Sequence, residues 1–120
     1  MKRIIIVDDD PAILEAFHLI LGRAGYSVSS YVNGQVLLTL PLPPVDLILL
    51  DKQLSGADGL DICQRLKQQP ETKHIPIVML SASPHVRPLA MNACADDFLE
   101  KPFRMKDLLE MVKKHIGMAG

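Results

Sequence analysis

Where the apolar runs of this 120-residue chain stop, they stop at residues able to handle charge. Ile4-Ile5-Ile6-Val7 ends at Asp8 and Asp9, DLILL ends at Asp51, Ile77-Val78-Met79-Leu80 ends at Ser81, and Phe98-Leu99 runs into Lys101. Brought to one place, they make a group of three carboxylates, a hydroxyl and an ammonium. Two carboxylates about 4 Å apart repel by about 4 kcal/mol at an effective dielectric of 20. A hard divalent cation with oxygen ligands removes that repulsion, and Mg2+ favours one or two carboxylates with water and a substrate phosphate. The three acids and Lys101 sum to a formal −2, so one Mg2+ brings the group to neutrality and readies it for a phosphoryl group. A carboxylate can itself attack phosphorus to give an acyl phosphate. That transfer needs positioning and charge neutralisation more than covalent help.

The elements between these residues decide whether they meet. The runs at 4–7, 46–50 and 77–80 are apolar without alternation, the pattern of strands buried on both faces. Val28 to Tyr31 reads as a second strand and Phe98-Leu99 as a short fifth. Asp10-Pro11 is a helix start, with Asp as cap and Pro at the first helical position. Ile13, Phe17, Ile20, Leu21 and Ala24 follow at helical spacing, and Gly25 stops them. Asn33-Gly34 opens a weak helix through Leu40, ended by Pro41, Pro43 and Pro44. LSGADG is a glycine-bearing loop, and Asp58 or Gly59 begins a helix that turns Ile62, Cys63 and Leu66 inward. Met105, Leu108, Leu109, Val112 and Ile116 outline the last amphipathic helix. Strands alternating with helices imply a doubly wound α/β domain, a five-stranded parallel sheet covered on both faces. In such sheets ligands collect at the carboxyl ends of the strands, where strand order reverses.

Composition narrows the class. A net charge of −1 gives no reason to expect nucleic-acid contact from this chain. No apolar run reaches the length of a membrane span, and no secretory leader is expected. Cys63 and Cys94 do not make a disulfide framework, which fits a reducing cytoplasm.

The stretches IIIVDDDPAIL, DLILLDKQLSGADGL, IVMLSA and ADDFLEKPF, in that order, resemble the response-regulator receiver domain of two-component signalling. The resemblance runs over residues 3–116 and implies a flavodoxin-like strand order, 2-1-3-4-5, with one receiver domain across 1–120 and no output domain in this chain. It implies that Asp51 is the phosphoacceptor, and that Asp8 and Asp9 are the acidic metal pair. Asp9 would bind Mg2+ directly with Asp51 and the backbone carbonyl of Gln53, and Asp8 mostly through water. Lys101 takes the place of the phosphate-pairing lysine, Ser81 of the switch hydroxyl and Phe98 of the switch aromatic. A sensor histidine kinase or phosphotransfer protein is the implied donor, and a downstream protein the receiver of the signal.

Plainer readings stand beside these. Asp10 is a helix cap rather than a ligand, and Cys63 a core residue. His18 is expected to pack at the apolar edge of the first helix, and Met105 and Met111 in the core. The sequence departs from the family at Ser55, where proline is common, and at Cys94, where glycine is usual. Gln53 and Ser83 stand at positions thought to tune loss of the phosphoryl group to water. The stretch 83–93 is shorter than usual and holds Pro84 and Pro88, so the fourth helix should be short or irregular. A short fourth helix weakens the case for a dimer through that helix, the fifth strand and the last helix. Two other functions share the sequence: a pseudo-receiver scaffold working without phosphorylation, and a Mg2+-dependent phosphatase acting on outside substrates. The five filled positions argue against the first, and 120 residues leave little chain for the substrate pocket of the second.

Overall fold

The computed structural model describes residues 1–39, 42–54, 57–93 and 95–118. Ser55, Cys94 and the expected end of the second helix at Leu40 and Pro41 lie outside the described residues. The elements in chain order are β1 (Arg3–Val7), α1 (Pro11–Arg23), β2 (Ser27–Tyr31), α2 (Gln35–Leu38), β3 (Leu47–Asp51), β4 (Gln53–Leu54), β5 (Ala57–Asp58), α3 (Gly59–Gln68), β6 (Ile77–Ser81), α4 (Val86–Asn92), β7 (Asp97–Glu100) and α5 (Met105–Ile116).

Five strands form one parallel sheet in the order β2-β1-β3-β6-β7. Counting only those strands, this is the expected 2-1-3-4-5. β4 and β5 are a two-residue antiparallel ribbon, Gln53 opposite Asp58 and Leu54 opposite Ala57, inside the stretch read as loop.

Because side chains alternate along a strand, each buried strand feeds two layers. Ile4 and Ile6 of β1, Leu47 and Leu49 of β3, and Val78 and Leu80 of β6 pack with Leu14, Phe17 and Leu21 of α1 and Leu108 and Val112 of α5. Ile5, Val7, Ile48, Leu50, Ile77 and Met79 pack on the opposite face with Leu37 of α2, Ile62, Cys63 and Leu66 of α3, and Val86 and Ala90 of α4. Continuous apolar runs are thus what a sheet sandwiched between helices demands.

Local signals account for the helix ends. The Asp10 carboxylate accepts from Ala12 N–H at 3.0 Å and caps α1. At its far end Gly25 takes φ +96°, with Gly25 N–H donating to Gly22 O and Tyr26 N–H to Leu21 O, the pairing of a Schellman stop. Asp58 caps α3 through Leu60 N–H at 2.9 Å. Helix α4 has seven residues with Pro88 in its first turn, where no backbone donor is required. Two packing expectations change. His18 is exposed and hydrogen-bonds Ser30 Oγ at 2.8 Å across to β2. Met105, the first residue of α5, is 57% exposed, whereas Leu108 and Val112 on the same helix are buried.

The two ends of the described chain are tied to adjacent residues where β2 begins. Ser27 N–H donates to Lys2 O at 2.9 Å, and the buried Tyr26 hydroxyl donates to Gly117 O at 2.7 Å.

Candidate functional site

The chain reaches its first acid before it has left the sheet, since Asp8 N–H still donates to Tyr31 O of β2. One carboxylate oxygen of Asp8 accepts Asp10 N–H at 2.9 Å, so the turn into α1 fixes the direction of the Asp8 side chain. Asp51 is the last residue of β3 and Ser81 the last of β6. Lys101 follows β7 directly, with its N–H on Ser81 O at 2.8 Å and a cis bond to Pro102.

These ends converge. Oxygens of Asp8, Asp9 and Asp51 lie within 4.8 Å of one another. The Lys101 ammonium donates to Asp8 Oδ2 at 2.7 Å and to Asp51 Oδ1 at 3.0 Å. Asp8 is buried at 1% exposure and Asp51 at 7%, while Asp9 is exposed. The Ser81 hydroxyl oxygen accepts Ser83 N–H at 3.1 Å, and the residue is also buried. Asp8, Asp9, Asp51, Gln53, Ser81 and Lys101 line one open cleft of about 300 Å³. It sits at the carboxyl ends of β1 and β3, the two strands between which the chain order reverses.

Electrostatics bear on Asp51 most directly. Burial pushes its carboxyl above the usual range, the hydrogen bond from Lys101 pulls it back, and the Asp8 and Asp9 charges push it up again. Burial alone would lower the Lys101 ammonium, but the hydrogen bonds and charges of Asp8 and Asp51 prevail and hold it above its ordinary value. The donor set is all oxygen, carries three negative charges and is answered by one ammonium. Such a set suits a hard divalent cation.

The structure thus brings together Asp8, Asp9, Asp51, Gln53, Ser81 and Lys101, but not Phe98. Phe98 pairs with Met79 across the β6–β7 ladder and is buried at 1% exposure in the layer of α3 and α4. Above its ring, 4.9 Å from the centroid, lies the Arg87 guanidinium of α4. Arg87 and the Asp10 amide are contributions that the sequence reading missed. The Asp10 amide was legible in principle, since Asp two residues before a helix cap commonly bonds forward to the backbone. Arg87 gave no signal, because its partner lies eleven residues on and on another element.

Known proteins are similar to this chain in sequence and in fold. The sequence model described as response regulator receiver domain matches residues 4–113. The DNA-binding dual master transcriptional regulator RpaA of Synechocystis sp. is 40% identical over 117 residues, covering 94% of this chain and 48% of RpaA. The chain spans about half the length of the relatives of this kind that it matches. Among solved structures, the response regulator TrrA of Thermotoga maritima, in complex with Mg2+-BeF, superposes with a TM-score of 0.84 at 34% identity, over 95% of this chain and 98% of TrrA. The receiver domain of the sensor histidine kinase PA1611 of Pseudomonas aeruginosa, with a magnesium ion coordinated in its active site cleft, gives a TM-score of 0.87 at 27% identity, over 97% of this chain and 98% of that one.

Proposed function

The chain belongs to the response-regulator receiver-domain family, and from that premise we propose that it is a phosphorylatable receiver whose Asp51 accepts a phosphoryl group from a histidine-kinase phosphodonor. One observation carries the reading: a single ammonium, Lys101, bridges the buried carboxylates Asp8 and Asp51 on the rim where the strands end. A surface ion pair would not need two acids buried beside a third.

In the transfer, an Asp51 carboxylate oxygen attacks phosphorus, the C–O–P bond of an acyl phosphate forms, and the phosphorus–nitrogen bond of the donor phosphohistidine breaks. The imidazole leaves with that electron pair and takes its proton from water. Lys101 exchanges its contact with Asp51 Oδ1 for one with a phosphoryl oxygen and keeps its hold on Asp8. Ser81 turns its hydroxyl from accepting Ser83 N–H to donating toward the phosphoryl group. Asp9, Asp51 and the backbone carbonyl of Gln53 would hold Mg2+ directly and Asp8 through water, the ion neutralising charge on the phosphoryl oxygens when bound. That both Asp8 oxygens already accept, from Lys101 and from Asp10 N–H, favours the indirect part for Asp8. In a separate, later step water attacks the phosphorus, the Asp51 O–P bond breaks, inorganic phosphate leaves and the carboxylate is restored; this is the module's own dephosphorylation, and Gln53 beside the cleft is placed to influence it.

Ser81 and Phe98 are the switch pair in this reading. Phe98 already occupies its buried position under Arg87, so phosphorylation changes how fully that position is populated rather than creating it. The proposed domain is the whole of 1–120, working in the cytoplasm on protein partners: a kinase or phosphotransfer protein before it and a downstream protein after it. No described helix is long and apolar enough to cross a membrane.

The test is intact mass spectrometry after incubation with acetyl phosphate, with and without Mg2+, beside Asp51→Asn. A single Mg2+-dependent, base-labile phosphoryl adduct on the wild type and none on the variant is the expected result. A folded wild type that binds Mg2+ but takes no adduct would replace this reading with the pseudo-receiver scaffold.

A further inference from the structure

We propose that Gly59 is a positioning residue for the phosphoryl transfer, because its missing Cβ lets the start of α3 press against the backbone that carries Asp51 and Gln53. The inference rests on Asp51 being the phosphoacceptor.

A Cβ built on Gly59 would stand 2.2 Å from the Asp51 carbonyl oxygen, 2.9 Å from Lys52 Cα and 3.0 Å from the Asp51 carbonyl carbon. All three are backbone atoms, so no side chain can swing aside to make room. To relax from 2.2 Å even to 3.0 Å, backbone must move by at least 0.8 Å. The glycine is buried and its N–H donates to Lys52 O at 2.7 Å, which closes the turn. Lys52 in turn gives its N–H to Leu80 O of β6 at 2.9 Å, and its ammonium lies 3.7 Å from Asp58. The turn is therefore tied on both sides of Lys52, and a Cβ on Gly59 would push on the peptide that joins Asp51 to Lys52, one residue from the Asp51 carboxylate on one side and from Gln53 on the other.

Gly34, also tight, makes the contrast clear. A Cβ placed on it would meet Ile62 Cδ1 at 2.2 Å and Leu54 Cδ1 at 3.2 Å, both ends of flexible side chains. The close approach at Gly34 is a packing matter, whereas that at Gly59 bears on the nucleophile's own peptide group.

A misplacement of about 1 Å in a reacting group can lower a rate on the order of 100-fold. The experiment compares wild type, Gly59→Ala and Leu66→Ala, the last emptying a buried site farther along the same helix. Four quantities are read: thermal midpoint, Mg2+ affinity by titration without phosphodonor, and the maximal rate and the half-saturation of adduct formation with acetyl phosphate. The expected result for Gly59→Ala is weaker Mg2+ binding and a maximal rate lower by on the order of 100-fold, with donor half-saturation nearly unchanged. Leu66→Ala should lose thermal midpoint and keep both the rate and the Mg2+ affinity. If Gly59→Ala does not fold, Asp58→Ala, which unties the same turn without adding an atom, must show the same pattern in smaller size. A folded Gly59→Ala at wild-type rate and Mg2+ affinity overturns the inference, as does equal loss of rate in Leu66→Ala, or Asp58→Ala at wild-type rate where it stands in. A wild type without any adduct would instead sink the phosphoacceptor reading itself.

Discussion

Lys101→Met keeps the reach of the side chain and removes its charge, which isolates what the ammonium does for the resting protein. Asp8, at 1% exposure, would keep Asp10 N–H at 2.9 Å and lose Lys101 at 2.7 Å; Asp51, at 7%, would lose its contact at 3.0 Å. The formal charge of the cluster goes from −2 to −3. Removing one partner of a buried ion pair destabilises by about 3–5 kcal/mol. The Lys101 side chain is 17% exposed, so solvent shares its work and the lower figure, about 3 kcal/mol, applies. In a domain of this length that is about 10 °C in thermal midpoint. The deficit must also depend on pH. Asp51 already has a raised folded pKa, pushed first by burial. A folded carboxyl that binds its proton more tightly than the unfolded chain does loses stability as pH rises from the unfolded toward the folded pKa. Without Lys101 that pKa climbs further, so the loss grows as pH rises above the ordinary carboxyl value and shrinks as pH falls back toward it. Urea melts of both proteins at pH 8 and pH 5, in a chelator and then in millimolar Mg2+, measure all of this. Mg2+ should recover more stability in the variant, whose cluster has one more charge to neutralise. A variant as stable as wild type at pH 8 in the chelator would refute the premise that the acids repel and the ammonium restrains them.

Asp10→Ala should lose about 1 kcal/mol, the usual value of a helix cap, read from the urea midpoint, while adduct formation persists because the Asp10 side chain does not hold Asp8. Asp97 is held below the usual carboxylate range: burial pushes it up, but hydrogen bonds from His115, Lys114 and Phe98 N–H outweigh that. A lowered folded pKa contributes stability that is present above about pH 4 and lost as pH falls through the folded value. Asp97→Asn should therefore lower stability at neutral pH and flatten the acid limb below pH 4 in melts across pH. Arg87→Ala should lose about 0.5–1 kcal/mol in the same urea melts, the worth of an exposed cation over an aromatic ring.

The charged cluster was legible because strand ends are. Asp8, Asp9, Asp51, Ser81 and Lys101 each terminate a run whose hydrophobicity marks it as buried, and parallel strands deliver all such ends to one rim. Pro88 was legible for the opposite reason, since a missing donor limits where a helix begins. What escaped depends on contacts between distant parts of the chain. The β4–β5 ribbon has two residues on each side, too few for any alternation to show. Gly59 reads in sequence as a residue that starts a helix, and only the folded chain brings the Asp51 carbonyl against it. Helical spacing places His18 at the apolar edge of α1 and Met105 on the apolar face of α5, but spacing says which residues share a face and not how much of that face the neighbouring elements cover.

Tyr26 and Ser27, neighbours in the chain, hold Gly117 and Lys2, so the way into this domain and the way out share one doorway. The doorway opens on the rim where β2 begins, and the acids stand on the rim where β1 and β3 finish. Joining Lys2 to Gly117 through a short linker and reopening the chain at another surface turn is therefore expected to leave the acids on the far rim in place, which Mg2+ titration of the permuted chain would check.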